Sequence, residues 1–246
     1  MKPFFLYCFL CASLALPAHG LSMSHQQRGQ KANDPETIRT FVRQTYIAGI
    51  PFKEVKRMSP SLALPVLIKM LDDSGDEQYW PNIVVTLGML GDSRAVDPLI
   101  NFITRSEARS ELSPPQAVAK TSAVMSLGYI VNKTGKGQAL TFLAEGVDPQ
   151  VWENRNIQWS SSLYPSMRER NTQLATMSIL GLAISGRPEA KKILRGLQVP
   201  VDQRSMDVRQ KLPGIENVVE DALKEHAKIS RDGLEKYDES MQRHGR

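Results

Sequence analysis

The sequence predicts an all-α protein: a stack of about four helix pairs closed by a C-terminal capping helix. Three observations carry that prediction. Leucine followed by glycine recurs at the end of one apolar helical segment after another, as Leu87-Gly88, Leu127-Gly128 and Leu180-Gly181. Behind each lies a second segment with Ala-x-x-x-Leu spacing: Ala95 to Leu99, Ala139 to Leu143 and Ala190 to Leu194. Ala63 to Leu71 also aligns without gaps on Ala95 to Ile103, the apolar positions agreeing except where proline moves by one. Such internal self-similarity is the sequence signature of repeated helical units.

In chain order, the first element is a targeting segment. Lys2 precedes a mostly apolar stretch from Phe4 to Leu16, and Ala18-His19-Gly20 follows with small residues where a signal peptidase reads. Residues 1–20 are therefore expected to be a cleaved secretory signal. The stretch is shorter than the roughly 20 residues a membrane span needs. Both cysteines of the chain, Cys8 and Cys11, lie inside it. The mature chain then has no disulfide, thiolate ligand or cysteine nucleophile. An exported protein without disulfides must be held by its core. Cleavage removes one basic and no acidic residue, taking the net charge from +5 to +4. That mild excess argues against nucleic acid, which calls for a larger, clustered one. Residues 21–33, rich in Ser, Gln, Lys and Gly, are expected to be a flexible leader.

Residues 34–229 are the expected folded domain. Asp34 is a helix N-cap with Pro35 at the first helical position, and Ile38, Phe41, Val42 and Tyr46 follow at helical spacing up to Gly49-Ile50-Pro51. Ser59-Pro60 opens a second helix, so residues 34–71 form a first pair with an irregular join around Phe52 to Arg57. The next pairs fall at about 79–104, 115–146 and 167–198. Gly88, Gly128 and Gly181 are unequally separated, which places insertions between repeats. One is Arg105 to Pro115; the other, Gly146 to Ser166, holds Trp152, Trp159 and Tyr164. After a loop broken by Pro200 and Pro213, Ile215 to Ile229 sets Ile215, Val218, Val219, Ala222, Leu223 and Ala227 on one face, as a terminal cap requires. Residues 230–246 are charged and poor in apolar residues, and are expected to be a disordered tail.

Stacking has a physical motive. Each helix alone is too short to persist in water. Each pair leaves apolar stripes on both sides, and stacking buries them in one core. A glycine inside a helix costs about 1 kcal/mol against alanine. Three of them at equivalent positions imply that neighbouring helices approach closely there.

The segment from Leu87 to Ile100 resembles the HEAT-like repeat, in the short bacterial form also seen in phycobilisome lyases. That pattern has Leu-Gly at the end of the first helix, Gly-Asp in the turn, then Arg-Ala-Val and Leu on the second. Here they are Leu87-Gly88, Gly91-Asp92, Arg94-Ala95-Val96 and Leu99. Residues 116–146 and 172–198 are similar in outline, but carry Lys133-Thr134-Gly135-Lys136 and Ser185-Gly186-Arg187-Pro188 in the turn. The resemblance implies an α-solenoid over residues 34–198 and protein binding. It carries no lyase activity, because no bilin-attachment chemistry is visible. Within it Gly88, Gly128 and Gly181 are structural positions. Asp92 is expected to cap the second helix, worth about 1 kcal/mol, and Arg94 to pair with a carboxylate of an adjacent repeat.

Known catalytic patterns are missing from the sequence. His25, His226 and His244 form no ligand pair, and zinc needs three or four ligands in one place. There is no Gly-x-Ser-x-Gly and no Ser-x-x-Lys. Ser160-Ser161-Ser162 is expected to be a solvated loop, and Gly135-Lys136-Gly137 an inter-helix turn rather than a phosphate loop. Asp72 to Glu77 departs from calcium-loop spacing and reads as a solvated linker. No catalytic residue, metal ligand or cofactor is assigned.

Two groups are candidate interaction surface. Trp152, Arg155, Trp159 and Tyr164 are of the residue types that dominate binding hot spots. The competing reading is that the rings tuck against the stack and pin the loop. Lys69, Lys136, Lys191, Lys192 and Arg195 line the second helices and would gather into a basic face if those helices share one side. An ordinary solvated face is the alternative. The sequence thus leads to an exported, periplasmic rather than extracellular, non-catalytic module that binds or scaffolds another protein. Two alternatives stand beside it: an enzyme with a carboxylate site in the 146–166 insertion, and a binder of anionic envelope polymer or membrane surface.

Overall fold

The computed structural model describes residues 34–47, 49–106, 111–155, 157–198 and 215–244. The expected signal and leader lie outside them. The described chain is mostly helical. Its α-helices are α1 (Pro35–Val42), α2 (Phe52–Val55), α3 (Pro60–Leu71), α4 (Trp80–Leu90), α5 (Val96–Thr104), α6 (Pro114–Thr134), α7 (Gly137–Glu145), α8 (Pro149–Asn154), α9 (Met167–Ser185), α10 (Pro188–Gly196), α11 (Ile215–Asp232) and α12 (Leu234–His244). Short 3-10 turns at Ser74–Tyr79 and Ser93–Ala95 precede α4 and α5. Two-residue strands β1 (Glu111–Leu112) and β2 (Ser160–Ser161) pair in parallel, Glu111 opposite Ser160.

Local chemistry sets the helix starts. Asp34 accepts the Thr37 amide at 3.2 Å. Ser113 with Gln116, and Ser166 with Glu169, form reciprocal capping boxes at the starts of α6 and α9. Proline stands in the first turn of α1, α3, α4, α6, α8 and α10, where its missing N–H costs nothing.

α4, α6, α9 and α11 lie side by side in that order, forming the inner layer. α5, α7 and α10 pack along it, with α1 and α3 against the α4 end and α8 against α9. Every residue of α4 from Ile83 to Leu90 is buried, and α9 is buried throughout from Met177 to Ser185. Glycine allows this density. A Cβ on Gly88 would lie 2.6 Å from the Ser126 carbonyl oxygen, and one on Gly128 would overlap the Gly181 carbonyl. A Cβ on Gly181 would meet Leu143 at 2.8 Å. The α4–α6 and α6–α9 contacts are therefore closer than any side chain permits.

The helix ends repeat as well. α4, α6 and α9 each stop at a left-handed glycine: Gly91 (φ 62°), Gly135 (φ 64°) and Gly186 (φ 58°). Neighbouring helices seal the carbonyls left over. Lys133 Nζ donates to Leu90 O at 2.9 Å, and Arg187 donates to Val131 O and Asn132 O at 3.2 and 2.6 Å. Asn132 Nδ2 in turn donates to Ser185 O, and Ser230 Oγ to Gly186 O. Buried His226 places Nε2–H on the Arg187 carbonyl at 2.9 Å. Its burial lowers its pKa, and the bond to the Arg187 carbonyl opposes that shift.

Four local expectations change. α1 ends at Val42 rather than Tyr46, because Tyr46 turns back to donate its hydroxyl to Phe41 O at 2.8 Å. Asp72 to Glu77 is not a free linker. Asp76 is buried against Arg43 at 2.8 Å, Asp72 pairs with Arg105 at 2.6 Å, and Glu77 accepts from Ser113 and Gln116. Ser161 is buried in the two-stranded pairing, not solvated. Finally, the tail expected to be disordered is helical through α11 and α12 up to His244. Among the described residues, no helix is long and apolar enough to cross a membrane.

Candidate functional site

The structure turns the aromatic insertion inward. Trp152 is fully buried; its indole donates to Gly146 O at 2.7 Å and its ring meets Phe142 edge-on at 5.6 Å. The Arg155 guanidinium lies 4.0 Å from the Phe142 centroid and 4.6 Å from Trp152, and pairs with Glu145 at 3.0 Å. Burial pulls the Arg155 pKa down, and the Glu145 carboxylate opposes that shift. Trp159 is 2% exposed and packs against half-buried Tyr164 and under buried Arg170. Arg170 donates to the Ile157 and Trp159 carbonyls at 2.8 and 2.6 Å, and so ties the insertion to α9. Trp152 and Trp159 therefore hold the loop down and present no ring to a partner. The physical reason is area: a large ring gains more by filling the space over α7 and α9 than by facing water.

Carboxylates of the same insertion have local duties. Asp148 caps α8 by accepting the Gln150 amide at 2.9 Å, and Glu153 accepts from the Gln150 side chain. Asp92 accepts the Arg94 amide at 2.9 Å. Arg94 returns its guanidinium to the same Asp92 at 2.7 Å instead of reaching an adjacent repeat. That pairing holds the Asp92 carboxyl below its ordinary range, burial opposing it.

The basic candidates divide. Lys69 is exposed on α3, at the α4 end of the inner layer, and Lys136 is exposed at the start of α7. Lys192 is exposed on α10. Lys191 and Arg195 share a shallow groove of about 410 Å³ between α10 and α11, with Gln198, Glu220, Leu223, Lys224 and Ala227. Only these two of the five line it. Lys224 is already paired there with Glu220 at 2.7 Å.

A larger cleft, about 540 Å³, lies where α12 crosses back to the beginning of the chain. Phe52, Lys56, Met89, Tyr129, Asn132 and Lys133 form one wall, and the Asp232 to Lys236 turn with Glu239 forms the other. Phe52 stacks on Tyr129 at 6.2 Å. Lys53 pairs with Glu239 at 2.5 Å, and the Phe52 amide donates to the Asp238 carboxylate. Burial raises the Asp238 pKa to about 6, Glu239 adds to the rise, and the Phe52 amide opposes it. Burial also raises the Tyr129 and Tyr237 hydroxyls above their ordinary range. Sequence reasoning missed this cleft because the tail is charged. Its signal was the spacing of Leu234, Tyr237 and Met241, three and four residues apart, which is a helical stripe.

Sequence reasoning also missed two buried cations, Lys120 and Arg170. Lys120 Nζ donates to Phe102 O and Arg105 O at 2.7 and 2.8 Å, at the carboxyl end of α5. A cation is favoured there by the helix dipole as well as by the orphan carbonyls.

Among the described residues, no three His, Cys, Asp or Glu side chains gather into a cluster able to hold a metal ion. Comparisons with protein families, curated proteins and solved structures returned no match.

Proposed function

We propose that the chain is a HEAT-like α-solenoid that binds or scaffolds another protein in the cell envelope, after export by a cleaved signal peptide. The observation that carries this reading is the repeated joint between inner helices. At α4, α6 and α9 the same three parts recur: a glycine at the close approach, a left-handed glycine at the end, and a side chain from another helix on the exposed carbonyls. A joint that repeats builds an extended surface rather than a pocket, and extended surfaces of stacked helices serve to bind. The periplasm fits the repeat form, which resembles a bacterial one.

The test is retention. Mature protein beginning at Leu21 is immobilised and exposed to periplasmic extract. One protein held in stoichiometric ratio through a salt wash is the expected result. The second reading, an anionic envelope polymer along α10, is favoured by Lys191 and Arg195 in one groove. Material that leaves at modest salt would support it and displace the first, because exposed charges are screened. Terminal sequencing of the exported chain is expected to begin at Leu21.

A further inference from the structure

We propose that α12 is a self-ligand. The groove it covers, floored by Phe52, Met89 and Tyr129 and rimmed by Lys53 and Lys56, receives an amphipathic helix of the partner protein that sets carboxylates beside an aromatic or aliphatic ridge. This rests on the protein-binding reading above and gives it a place and a chemistry.

The structure shows what such a helix looks like, because α12 is one. Leu234 and Tyr237 pack toward the core, while Asp238 and Glu239 meet α2. α2 and the turn after it answer with Lys53, Lys56 and Arg57, against the single carboxylate of Glu54. Laying one apolar stripe into a groove with charges on its rim is a recurrent mode of helix recognition.

α12 is also weakly held. It has 11 residues, a length marginal on its own in water. Leu234, Tyr237, Asp238, Glu239 and Met241 are only partly buried, and its other described side chains are exposed. One glycine, Gly233 at φ 81°, joins it to α11, and nothing lies within 4 Å of where its Cβ would stand. The helix leaves the 540 Å³ cleft unfilled beneath its first turn. An internal helix on a short tether competes at an effective concentration on the order of millimolar. A partner helix with a better fit displaces it.

The experiment uses the full mature chain and a labelled peptide of residues 234–244 as the probe. Tyr237→Ser with Glu239→Lys weakens the internal helix and leaves the groove intact. This variant is expected to bind the peptide about ten-fold more tightly than wild type, since the competitor is gone. Adding Lys53→Glu and Lys56→Glu is expected to abolish that gain. Equal affinity in wild type and variant, or binding indifferent to the lysines, overturns the proposal. A measurement on the wild type stands if the variant fails to fold: excess peptide must speed amide exchange in α12, and no change overturns the proposal. A dimer that exchanges α12 between copies also overturns it, naming a second copy as occupant. Retention from extract that excess peptide does not disturb removes the groove and leaves the scaffold reading standing. Peptide binding with no protein retained removes both the scaffold reading and the partner.

Discussion

The α6–α9 contact and the α12–α2 contact join helices by opposite means. The first brings Gly128 against the Gly181 backbone, so close that no Cβ fits. The second joins Asp238 to the Phe52 amide and Glu239 to Lys53, under a partly open cleft. Shape alone holds the first, whereas the second adds polar and ionic contacts to the packing of Leu234 and Tyr237. A contact made by shape is fixed at all pH and salt, and fails only when volume changes. A contact made by exposed charge contributes little stability and responds to conditions. The permanent and the adjustable parts of the molecule are thus separable by mutation.

The largest effect is expected from Gly128→Val, which forces the inner layer apart. Overpacking against backbone predicts a loss of about 3 kcal/mol, read as a lower midpoint in urea. Lys120→Met follows. It keeps the volume but strips the Phe102 and Arg105 carbonyls of a buried donor, for about 2 kcal/mol in the same assay. Asp92→Ala removes a cap and is expected to cost about 1 kcal/mol.

The remaining two changes should spare global stability and act on α12 alone. In the docked helix Asp238 keeps its proton up to about pH 6, whereas a free aspartate releases it near pH ~4. The contribution of Asp238 to docking is therefore fullest below the free value and is lost as the pH rises through the docked one. Amide exchange in α12, corrected for its intrinsic pH dependence, should be slower on the acid side of that value. Glu239→Lys should speed the same amides and leave the urea midpoint unmoved. A midpoint that drops with Glu239→Lys would mean that α12 belongs to the permanent part.

Much of the inner layer was legible. Leu87-Gly88, Leu127-Gly128 and Leu180-Gly181 mark helix positions where the missing side chain is itself the signal, and a one-dimensional pattern records that. The outer pieces were not, for a common reason. Trp152 and Trp159 carry the same residue type whether they face a partner or the core, and only the Gly146 carbonyl and the Arg170 fork decide which. Lys120 looks solvated until α5 places two carbonyls in front of it. α12 looks frayed because its partner, α2, lies nearly the whole chain away, and charge composition says nothing about a distant complement.

The seals at the helix ends have a consequence for how the chain becomes a protein. Leu90 waits for Lys133, Val131 and Asn132 wait for Arg187, and Gly186 waits for Ser230. A chain that emerges from its amino end meets each helix before the residue that closes it. A chain that stops between one of these carbonyls and the later residue that closes it leaves that carbonyl unsealed. Truncation before Lys133, Arg187 or Ser230 is therefore expected to expose a helix end that the whole chain covers, and with it a route to aggregation.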